Sequence, residues 1–414
     1  MHSHWLLYSH DALGLGHARR MTGIARAVLP SRPDLSALLV TCSPQIDALP
    51  VPPGLDYVKL PSARKLSAST YVARTLRIEP HRLRKLRSTI LEEVARAFQP
   101  DLFLCDKSPS GLMAELAPTL DALRMHSPAT RIVLGWRDIL DAPARVASEW
   151  QRNGTLASID RWYDEVWVYG DPELFDMRSE YELPGHIASR VRYVGYLTPD
   201  VPPEAVTAAR GELETLAPGS PGTGPIALVT VGGGEDGEQV LSRWIAAAAE
   251  GLLPHDLRSV VVTGPMMPEA AVQRLSAEAP TCVTIARFLG GLESHTAAAD
   301  LVVSMAGYNT SCELLGARTA AVLVPRGDQR DEQRIRAARL AERGLVDTVD
   351  PEQLSPRSLA RAARLALHRG RRSGESGLAI DGHQRVVDEV ARVLPPRPLP
   401  SRNFHTNGSR RAIG

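Results

Sequence analysis

The chain has 414 residues, 43% of them hydrophobic, which is enough for two cores and too long for one ordinary domain. Its 48 Lys and Arg against 47 Asp and Glu leave a net charge of +1, so no global field favours nucleic acid or an acidic membrane. Cys42, Cys105, Cys282 and Cys312 lie far apart with no CxxC pair, a pattern that speaks against a zinc site and fits small buried thiols in a reducing cytoplasm.

Residues 5–9 read as a first strand. His10 and Asp11 follow at once, unlike a signal peptide, and no apolar stretch nears the ~20 residues of a membrane helix. A glycine-containing loop, 10–17, leads into a helix over 19–29, and strands follow at 36–41 and 57–60. Residues 71–98 read as one long basic helical region, broken or kinked at Pro80. A strand over 100–106 ends on Asp106, a helix covers 111–125, and a strand over 131–136 ends at Arg137 and Asp138. Strands at 166–169 and 191–194 complete the first half, whose βα alternation predicts a parallel sheet with helices on both faces. Pro and Gly crowd 199–224, the expected connection, with a helix over 204–216 inside it. A second α/β pattern starts at 226–231, runs into Gly232, Gly233 and Gly234, and continues with a helix from Glu238. Further strands are expected at 259–263, 283–286, 301–304 and 320–324, with helices opening at Asn309-Thr310 and near Asp331. A helix over 383–393 closes the ordered chain, and the Pro-, Arg- and Ser-rich 395–414 reads as a disordered tail. The division is therefore 1–198, a connection at 199–224, 225–394, and the tail.

The polar residues at strand ends carry the chemistry, because open α/β sheets bind ligands there. After strand 301–304 the chain turns at Ala306-Gly307 and opens a helix, whose free amides attract phosphate. Glu313, one turn in, can reach a ribose diol, and Glu332 with Gln333 offers paired polar groups for sugar hydroxyls. Gly232 to Gly234 can wrap backbone amides around an anion, or form a plain βα turn. Gly14 and Gly16 allow a tight turn ahead of His17, without completing a dinucleotide GxGxxG, since Arg19 and Arg20 follow. A histidine there suits a general base, its pKa lying near neutrality; the other reading is a helix-start residue bonded to backbone, and His10 is a nearby competitor. Asp106 either orients an imidazolium or bonds its own turn. Arg137, Asp138 and Asp141 form a second polar cluster. The basic stretch from Arg74 to Arg87, interleaved with Leu76, Leu83 and Leu86, reads as a solvated helix face or as a contact for an anionic surface.

These residues resemble the nucleotide-sugar signature of the MurG-like and UDP-glycosyltransferase superfamily. In that pattern a small residue and Gly precede a Thr, and Glu follows the Thr at three residues; Ala306, Gly307, Thr310 and Glu313 match. Pro325 and Gln333 match the Pro-loop-Gln segment after the next strand, with Glu332 where a second Gln often stands and Met305 where MurG-type enzymes carry a basic residue. The loop ending in His17 is similar to the N-terminal glycine-rich loop of the same enzymes. The resemblance implies an α/β GT-B fold, two Rossmann-like doubly wound domains facing across a cleft. It implies an inverting transfer of a hexose from a nucleoside-diphosphate sugar, expected to be a UDP-sugar, to a hydroxyl or amine. The donor is expected on Gly232, Gly233, Gly234, Gly307, Asn309, Thr310, Glu313, Glu332 and Gln333, with Phe288 and Leu289 beside the nucleobase or in the core. The acceptor, a small molecule or lipid-linked, is expected on Gly14, Gly16, Arg137 and Asp138, with His17 as base aided by Asp106. Neither a cofactor nor an obligatory metal is implied, nor nucleic acid; the expected location is cytoplasmic, with peripheral membrane contact open. Two alternatives share the fold: a nucleotide-sugar 2-epimerase and a non-catalytic nucleotide-sugar binder.

Overall fold

The computed structural model describes residues 2–10, 16–66, 71–219, 222–327, 330–372 and 376–396. Runs in the first half become strands, the central ones buried on both faces as parallel sheets require. These are β1 (Ser3–Tyr8), β2 (Leu35–Thr41), β3 (Leu55–Lys59), the small antiparallel pair β4 (Ala63–Lys65) and β5 (Tyr71–Ala73), β6 (Leu102–Asp106), β7 (Arg131–Arg137), β8 (Glu165–Tyr169) and β9 (Val191–Tyr193). Seven of them form one parallel sheet in the order β3-β2-β1-β6-β7-β8-β9. Its helices are α1 (Gly16–Val28), α2 (Pro80–Phe98), α3 (Ala117–His126), α4 (Pro143–Asn153), α5 (Thr155–Trp162) and the single turns α6 (Met177–Glu180) and α7 (Gly185–Ala188). Helix α1 buries Ala18, Met21, Ile24, Ala25 and Val28, a stripe at helical spacing that faces the sheet.

Two expectations for this half need correction. The helix expected from residue 71 starts only at Pro80, its first residue, where a missing N–H does no harm. Tyr71–Ala73 instead pairs with Ala63–Lys65 as a strand. The helix expected over 111–125 is split: Leu112–Ala114 is a 3-10 turn and α3 begins at Ala117. Gly111 and Met113 both have positive φ, 74° and 55°, which an α-helix cannot contain.

The second half opens with α8 (Pro203–Leu216), followed by β10 (Ile226–Thr230), α9 (Glu238–Ala249), β11 (Arg258–Val262), α10 (Glu269–Glu278), β12 (Val283–Ala286) and α11 (Leu292–Ala298). Next come β13 (Leu301–Ser304), α12 (Tyr308–Ala317), β14 (Ala320–Leu323), α13 (Glu332–Glu342), β15 (Asp347–Thr348), α14 (Pro356–Arg369) and α15 (Gly382–Val393). The strands form a second parallel sheet, β12-β11-β10-β13-β14-β15. Helix α8, inside the connecting stretch, packs on α11, and Arg210 reaches the Ala298 carbonyl at 3.1 Å and Asp300 at 2.8 Å. Helix α15 returns to the first half and lies on α1. Arg32 bonds the Leu394 carbonyl at 2.7 Å, and Arg392 bonds Glu165 at 2.5 Å.

Each sheet reverses its strand order once, between β1 and β6 in the first and between β10 and β13 in the second. Loops diverge at such points and leave a crevice beyond the strand ends. The β1–α1 and β6 ends therefore share one crevice, and the β10–α9 and β13–α12 turns share the other.

Candidate functional site

The first crevice brings His17 and Asp106 together. His17 is the second residue of α1, and Asp106 ends β6, buried at 1% exposure. His17 Nδ1 and Asp106 Oδ2 form a short hydrogen bond. Arg20, one turn after His17, donates to Asp106 Oδ1 at 2.8 Å through Nη2 and at 3.3 Å through Nε. Its Nη2 also lies 2.8 Å from His17 Nδ1. One nitrogen cannot accept from Arg20 while donating to Asp106. The carboxylate is the nearer partner, so the Nδ1 proton belongs to Asp106, and Nε2 keeps its lone pair. Burial pushes the Asp106 carboxyl up, yet Arg20 and His17 together hold it well below the usual carboxylate range. Burial lowers the His17 pKa, with Asp106 opposing. A neutral imidazole oriented by an ionised carboxylate is a competent general base. The competitor His10 is buried, its ring 6.1 Å from that of His17, and burial holds it well below its ordinary pKa.

The second crevice presents the start of α12. Gly307 precedes the helix in extended conformation (φ −64°, ψ 150°), and Tyr308, Asn309 and Thr310 form its first turn. A side-chain carbon placed on Gly16 would sit 3.4 Å from Asn309 Nδ2, so the N-termini of α1 and α12 face each other. Beside them opens a cleft of about 1040 Å³, lined among others by Arg19, Glu293, Asn309 and Glu313. Glu313 is 5% exposed; burial pushes its carboxyl up to about 7, against the pull of Arg19. Arg19 crosses from α1 to hold Glu293 at 2.6 Å and Glu313 at 3.3 Å. The glycine loop ends β10 with Gly232 and Gly234 at φ 66° and 91°. Gly233 accepts a bond from the Met266 amide at 2.9 Å.

Several expected contacts are already occupied. Asp138, expected at the acceptor, is buried and already engaged within the protein. Both its oxygens are taken by the buried Arg336 guanidinium at 2.7 and 2.9 Å, and Tyr196 bonds one of them at 3.1 Å. Arg336 also bonds the Ala306 carbonyl at 2.8 Å, so this pair ties the first sheet to the turn before α12. Arg137 pairs with Glu332 at 2.6 Å, again between the halves. Gln333 is buried and accepts from the Arg326 amide at 3.0 Å, so its oxygen is engaged before any sugar arrives. Leu289 lies in the core at 7% exposure, whereas Phe288 is 64% exposed. Gly14 lies outside the described residues. Among the described residues no three His, Cys, Asp or Glu side chains gather as for a metal ion, and no helix is long and apolar enough to cross a membrane.

Sequence reasoning missed Arg19, Arg20, Tyr308 and Arg336. Tyr308 is buried, with the Arg20 and Arg336 guanidinium carbons 5.6 and 5.9 Å from its ring centroid. The spacing held a signal for two of them, since Arg20 is three residues after His17 and Arg336 four after Glu332, each on the same helix face.

Two doubly wound sheets with facing crevices define a GT-B architecture. Residues 228–384 match the glycosyltransferase family 28 C-terminal domain. Over 200 residues the chain is 31% identical to a UDP-N-acetylglucosamine–N-acetylmuramyl-(pentapeptide) pyrophosphoryl-undecaprenol N-acetylglucosamine transferase of Frankia casuarinae, covering 48% of this chain and 51% of that one. The protein of the same description from Agrobacterium fabrum is 30% identical over 152 residues, 35% of this chain and 39% of that one. The chain thus spans about half the length, or less, of these curated relatives. Over nearly the whole chain the fold is that of Acinetobacter baumannii MurG (TM-score 0.58, 17% identity, 94% of this chain and 99% of that one). It is equally that of the glycotransferase of kitacinnamycin (TM-score 0.60, 14% identity, 95% and 100%). Residues 228–384 thus resemble the glycosyltransferase family 28 C-terminal domain, and the chain as a whole shares the GT-B fold of MurG-like enzymes.

Proposed function

We propose that the protein is an inverting glycosyltransferase that moves a hexose from a UDP-sugar to a hydroxyl or amine acceptor. The observation that carries this reading is the cluster of His17 and Arg20 on α1 with Asp106 at the end of β6, facing the open N-terminus of α12 across the cleft. The diphosphate would lie on the first amides of α12 and the glycine loop, where helix dipole and N–H groups favour anions. The ribose would take Glu313, and the hexose would lie toward Glu332. His17 Nε2 would accept the acceptor proton as the acceptor oxygen or nitrogen attacks the anomeric carbon. The nucleoside diphosphate would leave with the bonding pair, its charge met by the amides. Asp106 would stabilise the imidazolium, and Arg20 would keep Asp106 ionised. The curated relatives are described as acting on a pyrophosphoryl-undecaprenol substrate. By that analogy the acceptor is a small molecule or a lipid-linked one. The reaction would then take place in the cytoplasm, and a lipid-linked acceptor would bring the protein to the membrane face. The exposed Arg82, Arg84 and Lys85 of α2 suit that contact.

The test is thermal stabilisation by a panel of nucleotides and nucleotide sugars, run on the natural chain and on Glu313→Ala. Ligand at ~100 times its dissociation constant adds about 2.7 kcal/mol. The expected result is a shift with UDP compounds that Glu313→Ala removes. His17→Ala is expected to leave that shift intact while lowering turnover roughly 10²–10⁴-fold, the usual contribution of a positioned base. No shift with any nucleotide would end the donor reading, and binding with unaltered turnover in His17→Ala would end the catalytic one.

A further inference from the structure

At the end of β6, where the two halves meet, stands a cation that the transfer chemistry leaves unused. Lys107 follows Asp106 at the end of β6 with its backbone in the left-handed region, φ 69°. That conformation is strained for a non-glycine residue, and such strain gathers at functional sites. Two hydrogen bonds hold it: the Lys107 amide donates to the Gly135 carbonyl at 2.8 Å, and Trp136 Nε1 donates to the Lys107 carbonyl at 2.8 Å. The side chain is exposed, and among the described residues its ammonium makes neither an ion pair nor a hydrogen bond. Two arginines stand near it, each paired to a carboxylate. Arg137 ends the adjacent strand and has a buried Nε without an acceptor. Arg330 approaches from the second half, 3.7 Å from Asp141 and 3.5 Å from Glu149. The surrounding protein removes part of its hydration, although the side chain keeps contact with solvent, and this, followed by Arg137 and Arg330, lowers the pKa of the Lys107 ammonium, with Asp106 and Glu332 opposing. The Lys107 ammonium, without a partner among the described residues, and the Arg137 Nε, without an acceptor, leave two donors side by side for an anion.

We infer that Lys107, with Arg137 beside it at the end of the neighbouring strand, forms an anion subsite between the two halves that takes a phosphate or carboxylate group carried by a substrate. This rests on the transferase reading only for which molecule brings the anion. The group would pair with the Lys107 ammonium and with Arg137 Nε, leaving the reacting centre to His17.

The experiment titrates the full chain with inorganic phosphate while UDP is held at saturation, so that the diphosphate positions are filled. It is repeated on Lys107→Gln and Lys107→Arg. Phosphate is expected to bind the natural chain, to lose about tenfold or more in affinity on Lys107→Gln, as one charge-assisted bond disappears, and to be largely restored on Lys107→Arg. Equal phosphate affinity in the natural chain and Lys107→Gln overturns the inference, as does absence of phosphate binding to the natural chain. If UDP itself fails to bind, the donor reading falls, and the phosphate titration still decides Lys107. UDP-glucose and UDP-glucuronate then separate the sources. A loss on Lys107→Gln confined to UDP-glucuronate puts the anion on the donor sugar, and unchanged binding of both puts it on the acceptor.

Discussion

Glu313 is buried, negative when ionised, and held by one arginine from the opposite half. Burial pushes its carboxyl to about 7, against an ordinary value of 4.5. The folded chain therefore binds this proton more tightly than the unfolded chain. The associated stability is present below about 4.5 and is lost as pH rises through 7. A ribose diol donates hydrogen bonds, so it prefers the ionised carboxylate. UDP affinity is expected to rise from pH 6 to pH 8, and Glu313→Gln should flatten that dependence; a slope unchanged in Glu313→Gln would remove Glu313 from the nucleotide site. Arg19 sharpens the point, because the diol must displace or share the guanidinium that now lies 3.3 Å from Glu313. These residue-scale contacts were only partly legible in advance. His17, Asp106 and Glu313 stood out because few side chains perform their chemistry. Arg19 and Arg20 looked like ordinary helix charges, since nothing local marks which arginine will meet a carboxylate 86 or 274 residues away.

Among the elements, the strands were the most legible, because β6, β8, β10 and β11 are apolar along runs buried on both faces. The failures were at 71–79 and 111–116, where basic and apolar residues can follow a helical period without forming one. Tyr71–Ala73 found a strand partner in β4, and the positive φ values after Gly111 broke the other helix. The glycine loop shows how specific such turns are. Gly234 has φ 91°, and a side-chain carbon there would overlap the Thr263 carbonyl and lie 3.0 Å from the Met267 amide nitrogen. Gly233 has no such constraint; the nearest atom to an added carbon is Met266 Sδ at 3.6 Å. Gly234→Ala should destabilise the second half by about 1–3 kcal/mol, from strain and overpacking, while Gly233→Ala should change little. Urea unfolding of both variants checks this, and equal midpoints would contradict the geometry.

Across the whole molecule, the two halves are fastened by a buried pair. Arg336 is 0% exposed and Asp138 1%, and they meet through two hydrogen bonds across the interface. Removing one partner strands the other charge out of water, which typically costs about 3–5 kcal/mol. Asp138→Ala should lower the first unfolding transition by that order. Arg385→Ala, which breaks an exposed pair with Asp381 one helical turn away, should cost less than about 1 kcal/mol. Calorimetry of the two variants separates them, and similar losses would mean the interface does not depend on this pair. The same fastening carries functional weight, because Arg336 also holds the Ala306 carbonyl just before the α12 N-terminus.

Sequence by itself determined the two α/β halves, the loops at their strand ends, and the residue types able to do the chemistry. All of these are written locally, in apolar runs, glycines and helix starts. Tertiary structure alone decided which polar groups stay free for a ligand. Asp138 and Gln333 looked like binding residues and are consumed by Arg336 and the Arg326 amide, while Lys107, which no motif singled out, is left without a partner among the described residues. Pairing between halves depends on where two sheets come to rest against each other. The packing of α15 on α1 contributes to this, and no short stretch of sequence encodes it.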